Sequence, residues 1–286
     1  MSNSTEFLQL AGFPTHLQHR LAFGLRIRDG VRTAPAALGQ NSPFEPASVE
    51  AVAEWPGPPP KEGQNRPPRW QALLPGSGPG RFHAKHPVRP QNQPVTVRLL
   101  DPARRYVPRR VLVPFPSLAE VLDAEAGGGS LARAWTVSVW PGAQYPAHGG
   151  ATGFRGRAID NAGRPLSWVR VRATLPRGAV LGSAHGDDRG EFVLLLSAGG
   201  RVENLPRTST FAVGLTFWVP PAVTDDPSYP GDPLTGLLTE ELGVAGTAAD
   251  GLTPPASYRQ FDGPTVDAQL GRLRSIGDVH APLPPP

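Results

Sequence analysis

Thirty-six prolines and 33 glycines break up these 286 residues, and that density of interruptions excludes an all-helical protein. Proline removes a backbone donor and clashes with the preceding helical turn, while glycine costs a helix about 1 kcal/mol relative to alanine. What survives between the breaks is alternation. In residues 21–28 Leu21, Phe23, Leu25 and Ile27 share one face, against Ala22, Gly24, Arg26 and Arg28. In residues 95–100 Val95, Val97 and Leu99 lie opposite Thr96 and Arg98, and in 134–140 Trp135, Val137 and Val139 fall together. Period-two patterning of this kind is the mark of a half-buried strand. The glycines have no period of three, so a collagen-like chain is excluded too.

The alternating runs group into two units. Strands are expected at 21–28, 69–74, 80–84, 95–100, 111–114 and 134–140, with one short helix at 117–126. There Ser117 caps, Glu120 sits three residues on, and Leu118, Val121 and Leu122 form an apolar stripe. These make a first β-sandwich domain, 21–141, with a proline-rich insertion at 33–68. A second unit, 150–219, has strands at 152–159, 166–175, 179–184, 191–196 and 208–219. Its turns are built on Asp160…Gly163 and Asp187…Gly190, where the Asp side chain bonds nearby backbone and glycine takes the left-handed position. Residues 1–20 read as an N-terminal arm. Residues 220–286 read as an extended Pro/Gly-rich C-terminal arm with two short helical stretches, 234–242 and 266–276. The second of these carries Leu270 and Leu273 on one side. On this reading 150–219 folds alone, and the arm is ordered only by a partner.

The second unit carries a motif. Gly156, Asp160, Gly163, Pro165 and Leu166, followed by Val169 and Val171, and then Asp187, Gly190, Phe192 and Leu194, resemble the carboxypeptidase regulatory-like family. That resemblance implies a transthyretin- or prealbumin-like β-sandwich acting as a non-catalytic accessory module. The fold class expected for the chain is therefore mainly β: two small Ig-like or prealbumin-like sandwiches with extended Pro-rich arms.

Chemistry-bearing constellations are few. There is no cysteine, so disulfides and thiolate metal sites are excluded. His83 and His86 stand three apart on a strand or loop, a spacing that does not aim two imidazoles at one ion, and His16 and His19 fall in the N-terminal arm. Asp187-Asp188 and Asp225-Asp226 read as turn formers in preference to calcium ligands. Nucleophile-elbow, P-loop and dinucleotide fingerprints are absent. No catalytic, cofactor or metal residues are expected, and no cofactor.

The candidate contact surface is the arginine cluster Arg98, Arg104, Arg105, Arg109 and Arg110 with Tyr106 inside it, joined by Leu270 and Leu273 on the C-terminal arm. All but two of the 28 basic residues are arginine, yet a net charge of +4 is a weak field for nucleic acid. A protein surface is the expected partner.

No apolar run reaches the length of a membrane span, and the N-terminus lacks a signal-peptide pattern. The expected location is the cytoplasm or an assembled particle. Two sandwiches between long arms resemble components of phage-tail-like and contractile injection particles. The expectation is a non-enzymatic structural or adaptor subunit. The alternative is a carbohydrate-binding module stacking sugars on Trp135, Trp140, Trp168 or Trp218.

Overall fold

A computed structural model describes residues 21–31, 46–55, 69–85, 94–129, 132–196, 209–221, 232, 234, 236–242, 248–249 and 251–281. The N-terminal arm with His16 and His19, His86, and the Asp225-Asp226 pair lie outside the described residues. The fold is mainly β, with one short helix among the described residues.

The first core lies between two five-stranded sheets. Its strands are β1 (Leu21–Asp29), β2 (Glu50–Trp55), β3 (Arg69–Ala72), β4 (Leu74–Pro75), β5 (Arg81–Lys85), β6 (Val95–Leu100), β7 (Arg109–Val113) and β8 (Ala134–Val139). β1 is central, antiparallel to β5 and parallel to β8. Its alternation buries Phe23, Leu25 and Ile27 against Val95, Val97 and Leu99 of the facing sheet. β2 lies inside the expected proline-rich insertion and corrects that reading, because it pairs on both sides, with β6 and β3. Its inward residues, Ala51 and Ala53, are small and fully covered.

Helix α1 (Leu118–Ala126) has the expected capping box: Ser117 Oγ accepts the Glu120 amide at 3.1 Å, and the Glu120 carboxylate accepts the Ser117 amide at 2.7 Å. Those bonds hold the Glu120 carboxyl below its ordinary pKa. Of the expected stripe only Val121 is buried; Leu118 and Leu122 face out.

The second core lies between β9 (Gly153–Ile159) and β12 (Glu191–Leu195) on one side and β10 (Arg170–Thr174), β11 (Val180–His185) and β13 (Thr210–Val219) on the other. Phe154, Ile159, Val169, Val171, Phe192, Leu194 and Phe217 are buried as the pattern requires, and Phe211 is half-buried. Phe192 meets Phe217 edge-on at 5.8 Å.

The turn motif is explained locally. Asp160 Oδ1 accepts the amides of Ala162 and Arg164 while the Gly163 amide closes the turn onto the Asp160 carbonyl, and Asp187 Oδ1 accepts those of Arg189 and Glu191. Pro165 follows the first turn and bridges back to Ile159. Gly190 adopts φ +71°, and a Cβ there would sit 2.5 Å from the Ala158 carbonyl oxygen. Gly156 is pressed from two sides, so an added Cβ would meet the Phe192 ring at 2.8 Å and Ile276 at 2.9 Å.

The largest departure from the sequence reading is the C-terminal segment. Four of its stretches are strands: β14 (Thr239–Glu241), β15 (Ala248–Ala249), β16 (Arg259–Gln269) and β17 (Leu273–His280). Each joins the edge of a different sheet. The sheet orders are β14-β7-β6-β2-β3, β15-β8-β1-β5-β4, β11-β10-β13-β16 and β12-β9-β17. β14, β15 and β17 pair parallel, and β16 antiparallel. The expected helices at 234–242 and 266–276 are therefore corrected to a turn with strand and to a strand-turn-strand. Leu270 stands at the β16–β17 turn, packed on the second core, and Leu273 opens β17 opposite Gly153. Neither is an anchor on a free arm. Pro264 is tolerated because β16 is an edge strand and the pairing is irregular between Gly214 and Thr216.

Candidate functional site at the junction of the two cores

Two arginines of the expected surface are interior. Arg98 and Arg109 are 2% and 1% exposed. Arg98, in mid-β6, grips Asp232 through both terminal nitrogens at 2.7 and 2.5 Å and bonds Glu54 through Nε. Its guanidinium also lies 4.4 Å from the centre of the Trp70 ring. Burial opposes its charge, but Asp232 and Glu54 outweigh that and raise its pKa; Asp232 is lowered in turn by Arg98, against its own burial. Arg110 donates to Glu54 and to the Leu237 carbonyl. Tyr106, also buried, donates to Asp29 at 2.9 Å. Arg105 and Arg104 keep partly exposed side chains; Arg105 lies 3.7 Å from Asp101, and Arg104 reaches across to the second core. Arg98, Arg109 and Tyr106 hold the chain together from inside, and only Arg104, Arg105 and Arg110 keep partly exposed side chains.

Arg109 leads to the centre of the junction. It donates to the Ser138 carbonyl at 2.5 Å and to Glu240 Oε2 at 2.6 Å, while Arg170 of the second core donates to Glu240 Oε1 at 2.7 Å. One carboxylate from β14 thus bridges two guanidinium groups from the two cores. His185 stacks beside them, its ring 5.4 Å from that of Trp140, with Nε2 at 3.0 Å from the Gly251 carbonyl oxygen. Tyr258, from the same C-terminal segment, bonds the Trp168 carbonyl and lies against Arg170.

Arg170 contrasts with Arg98. Burial lowers its pKa because it shares one carboxylate with Arg109, whereas Arg98 holds Asp232 through both terminal nitrogens and shares Glu54 with Arg110. Burial and the two arginines hold the His185 imidazole well below its ordinary value, so it is neutral. Burial also raises Tyr258. Among the described residues, Arg170 Nε and His185 Nδ1 have no hydrogen-bond partner.

Beside this network a small apolar cluster of Val107, Trp168, Leu234 and Leu237 joins the cores, with a cavity of about 330 Å³ next to it. Tyr106, Leu100 and Trp168 form part of its wall, and Glu50, Arg104 and Asp188 stand around it. Arg104 and Trp168 both hold positive φ, 55° and 61°, and they are the non-glycine residues with that strain among the described residues. Arg104 donates to Asp187 at 2.9 Å and Asp188 at 2.6 Å, so the Asp187 turn also fastens the two cores. Burial raises the Asp187 pKa.

The remaining candidates are dispersed. Trp135, Trp140 and Trp168 are 5%, 5% and 2% exposed, which leaves them no open face for a sugar ring. Trp218 is half-buried with Arg172 4.8 Å from its ring centre. His83 is half-buried on β5, its pKa lowered by burial and by Lys85. No group of three or more His, Cys, Asp or Glu side chains among the described residues is placed to hold a metal ion. No helix among them is long and apolar enough to cross a membrane.

Sequence reasoning missed Asp232, Glu240, Arg170, His185 and Glu54. The available signal was arginine inside apolar runs, as in VTVRLL, which demands a buried acid from elsewhere in the chain.

Compared with known proteins, the chain matches no family model and no curated protein. Among solved structures it is similar to a streptococcal ancillary pilin, at 9% identity and a TM-score of 0.19, over 90% of this chain and 61% of that one. It is also similar to a leucine-rich repeat protein from Bacteroides thetaiotaomicron, at 9% identity and a TM-score of 0.21, over 91% of this chain. The chain spans 61% and 26% of the lengths of these two structures, and likeness at this level carries no argument about fold or function.

Proposed function

We propose that this chain is a non-enzymatic structural or adaptor subunit of a multiprotein assembly, of the kind found in phage-tail-like contractile injection particles. Its two cores act as immunoglobulin- or prealbumin-like sandwich units. Residues 150–219, with the strands the C-terminal segment adds, serve as the carboxypeptidase regulatory-like accessory module. The observation that carries this reading is the path of the C-terminal segment, which adds an edge strand to all four sheets and sets Glu240 between Arg109 and Arg170. A chain that fastens its own cores together presents its outer faces at a fixed spacing, as a building part requires.

The edges left over are the natural places for neighbours. β3 and β4 end the two sheets of the first core on the side away from the C-terminal strands, and Trp70 and Leu74 there are 50% and 45% exposed. An edge that no described strand covers, carrying apolar side chains, is a template for a further strand.

Sedimentation of a native extract containing the tagged chain tests the reading. The 30.4 kDa chain should travel in a particle of far higher mass, in fixed ratio to its neighbours. Leu74→Asp should release it to the free fraction without changing its melting temperature. Sedimentation of the unaltered chain as a free protein overturns the proposal.

A further inference from the structure

We propose that acid opens the junction at His185: protonation of its imidazole releases β14, Gly251 and Tyr258 from between the two cores while both cores stay folded. The inference goes beyond the subunit reading and does not rest on it.

His185 is buried and stands directly opposite Arg170 in the β10–β11 pairing, so the two side chains share one face of the sheet. Arg109 approaches from β7, and Glu240 of β14 joins the two arginines. The Trp140 ring covers one side of the imidazole, and the Gly251 carbonyl oxygen meets Nε2 at 3.0 Å. Tyr258 lies against Arg170. Asp187, two residues on, is turned to Arg104 and to the amides of Arg189 and Glu191.

This geometry fixes the proton. A carbonyl oxygen only accepts, so Nε2 carries the hydrogen and Nδ1 the lone pair. Nδ1 has no hydrogen-bond partner among the described residues. A neutral imidazole fits this place and an imidazolium does not. Its new N–H would meet no acceptor among the described residues, and its charge would be the third positive one around the Glu240 carboxylate.

The strain is relieved where the fold is least fastened. Arg109, Arg170 and His185 stand on strands of the two cores, whereas Glu240 and Gly251 come from the C-terminal segment. There β14 and β15 pair over three and two residues only. Local opening begins in such weakly held units. Once lifted, they bare the β7 and β8 edges of the first core's two sheets, each a template for another strand. The closed junction refuses a proton that the open one takes near pH 6.5, so the open fraction should rise about tenfold per pH unit below that value until the closed form itself protonates.

The test is NMR-detected amide hydrogen exchange on the whole chain, from about pH 7.5 down to about pH 4.5, a span that brackets the ordinary histidine range. The Leu242 amide, which donates to the Leu112 carbonyl, should lose protection about tenfold per unit below pH 6.5. The amides of Ile27 and Ala158, bonded within the first and second cores, should keep theirs. His185→Gln, whose side-chain amide can still donate to Gly251 and takes up no proton, should hold Leu242 protected throughout. His83→Gln should respond as the unaltered chain does. Where His185→Gln folds poorly, the Hε1 signal of His185 in the unaltered chain serves instead, and it should shift over the pH range in which Leu242 opens. Constant protection at Leu242, equal losses at Ile27 and Ala158, the same loss in folded His185→Gln, no loss in His83→Gln, or a His185 signal that stays still while Leu242 opens overturns the proposal.

Discussion

The C-terminal segment treats the two cores differently. To the sheets of the first core it adds β14 and β15, of three and two residues, at edges whose inner strands already pair among themselves. To the second it adds β16 and β17, of eleven and eight residues, and β17 makes the smaller sheet three-stranded where β9 and β12 would otherwise be a lone pair. Val279 and Ala268 from these strands lie within the second core. The first core is therefore nearly complete by Val139, and the second is not complete until β17. A two-stranded ribbon is marginal in water, and a third strand is what makes such a sheet independently stable.

Ending the chain at Pro220 is the most severe way to probe this difference. The truncated chain should lose the cooperative unfolding of the second core entirely while the first still melts. The isolated fragment 150–219, which the alternation alone marks as self-sufficient, should give no cooperative transition, and 150–281 should give one. Circular dichroism melts of the three would show it, and a cooperative melt of 150–219 would break the comparison.

Next in size, Phe192→Ala should destabilise the second core by about 3–5 kcal/mol, the usual cost of removing a buried phenyl ring. In a denaturant titration the midpoint of the first core should move far less. Equal shifts in both would mean that the cores unfold as one.

Glu240→Ala should cost about 3 kcal/mol, since it leaves two guanidinium groups buried without their carboxylate. Adding Arg170→Met should restore part of the loss, because the second change removes one of the stranded charges. A double variant no more stable than Glu240→Ala would contradict the bridging role.

Acid sharpens the comparison further. The depressed pKa of His185 means that below about pH 6.5 the unfolded chain takes up a proton that the folded chain refuses. Stability should then fall with falling pH from 6.5 toward the folded value, by up to about 1.4 kcal/mol per unit. His83 adds a loss of the same sign in the same window. Asp187 works the other way: its pKa is raised, so it favours folding as pH drops toward 3.8. His185→Gln should flatten the slope above pH 5, and an unchanged slope would assign the loss elsewhere. Smallest of all, Asp278→Asn, which breaks the exposed pair with Arg157, should leave the melt within error.

Much of this architecture was readable where a strand has one wet face. LAFGLRIR announces itself because its arginines leave one side wet, and VTVRLL keeps the same period although Arg98 on its other side is itself buried. EAVAEW does not announce itself, since its inward residues are alanines and prolines stand on both flanks. RQFDGPTVDAQ buries only Ala268 fully and carries Pro264, so an edge strand looks like a loop. The Asp-turn glycines were legible, because their demands are local. The junction was not: Arg98, Arg109 and Arg170 find Asp232 and Glu240 some 70 to 134 positions away, and no periodicity encodes a pairing at that distance.

The order in which a ribosome delivers these strands gives the segment one more consequence. β14 to β17 emerge after the other described strands, so each sheet keeps an open edge, and Arg109 and Arg170 wait without their carboxylate, until residues 239–280 have been made. A nascent chain released early would display the second core half-built, the kind of exposed strand edge that aggregates or is degraded. Synthesis through residue 280 is what completes the four sheets, so proteolysis would remove shorter fragments and spare molecules that carry β17.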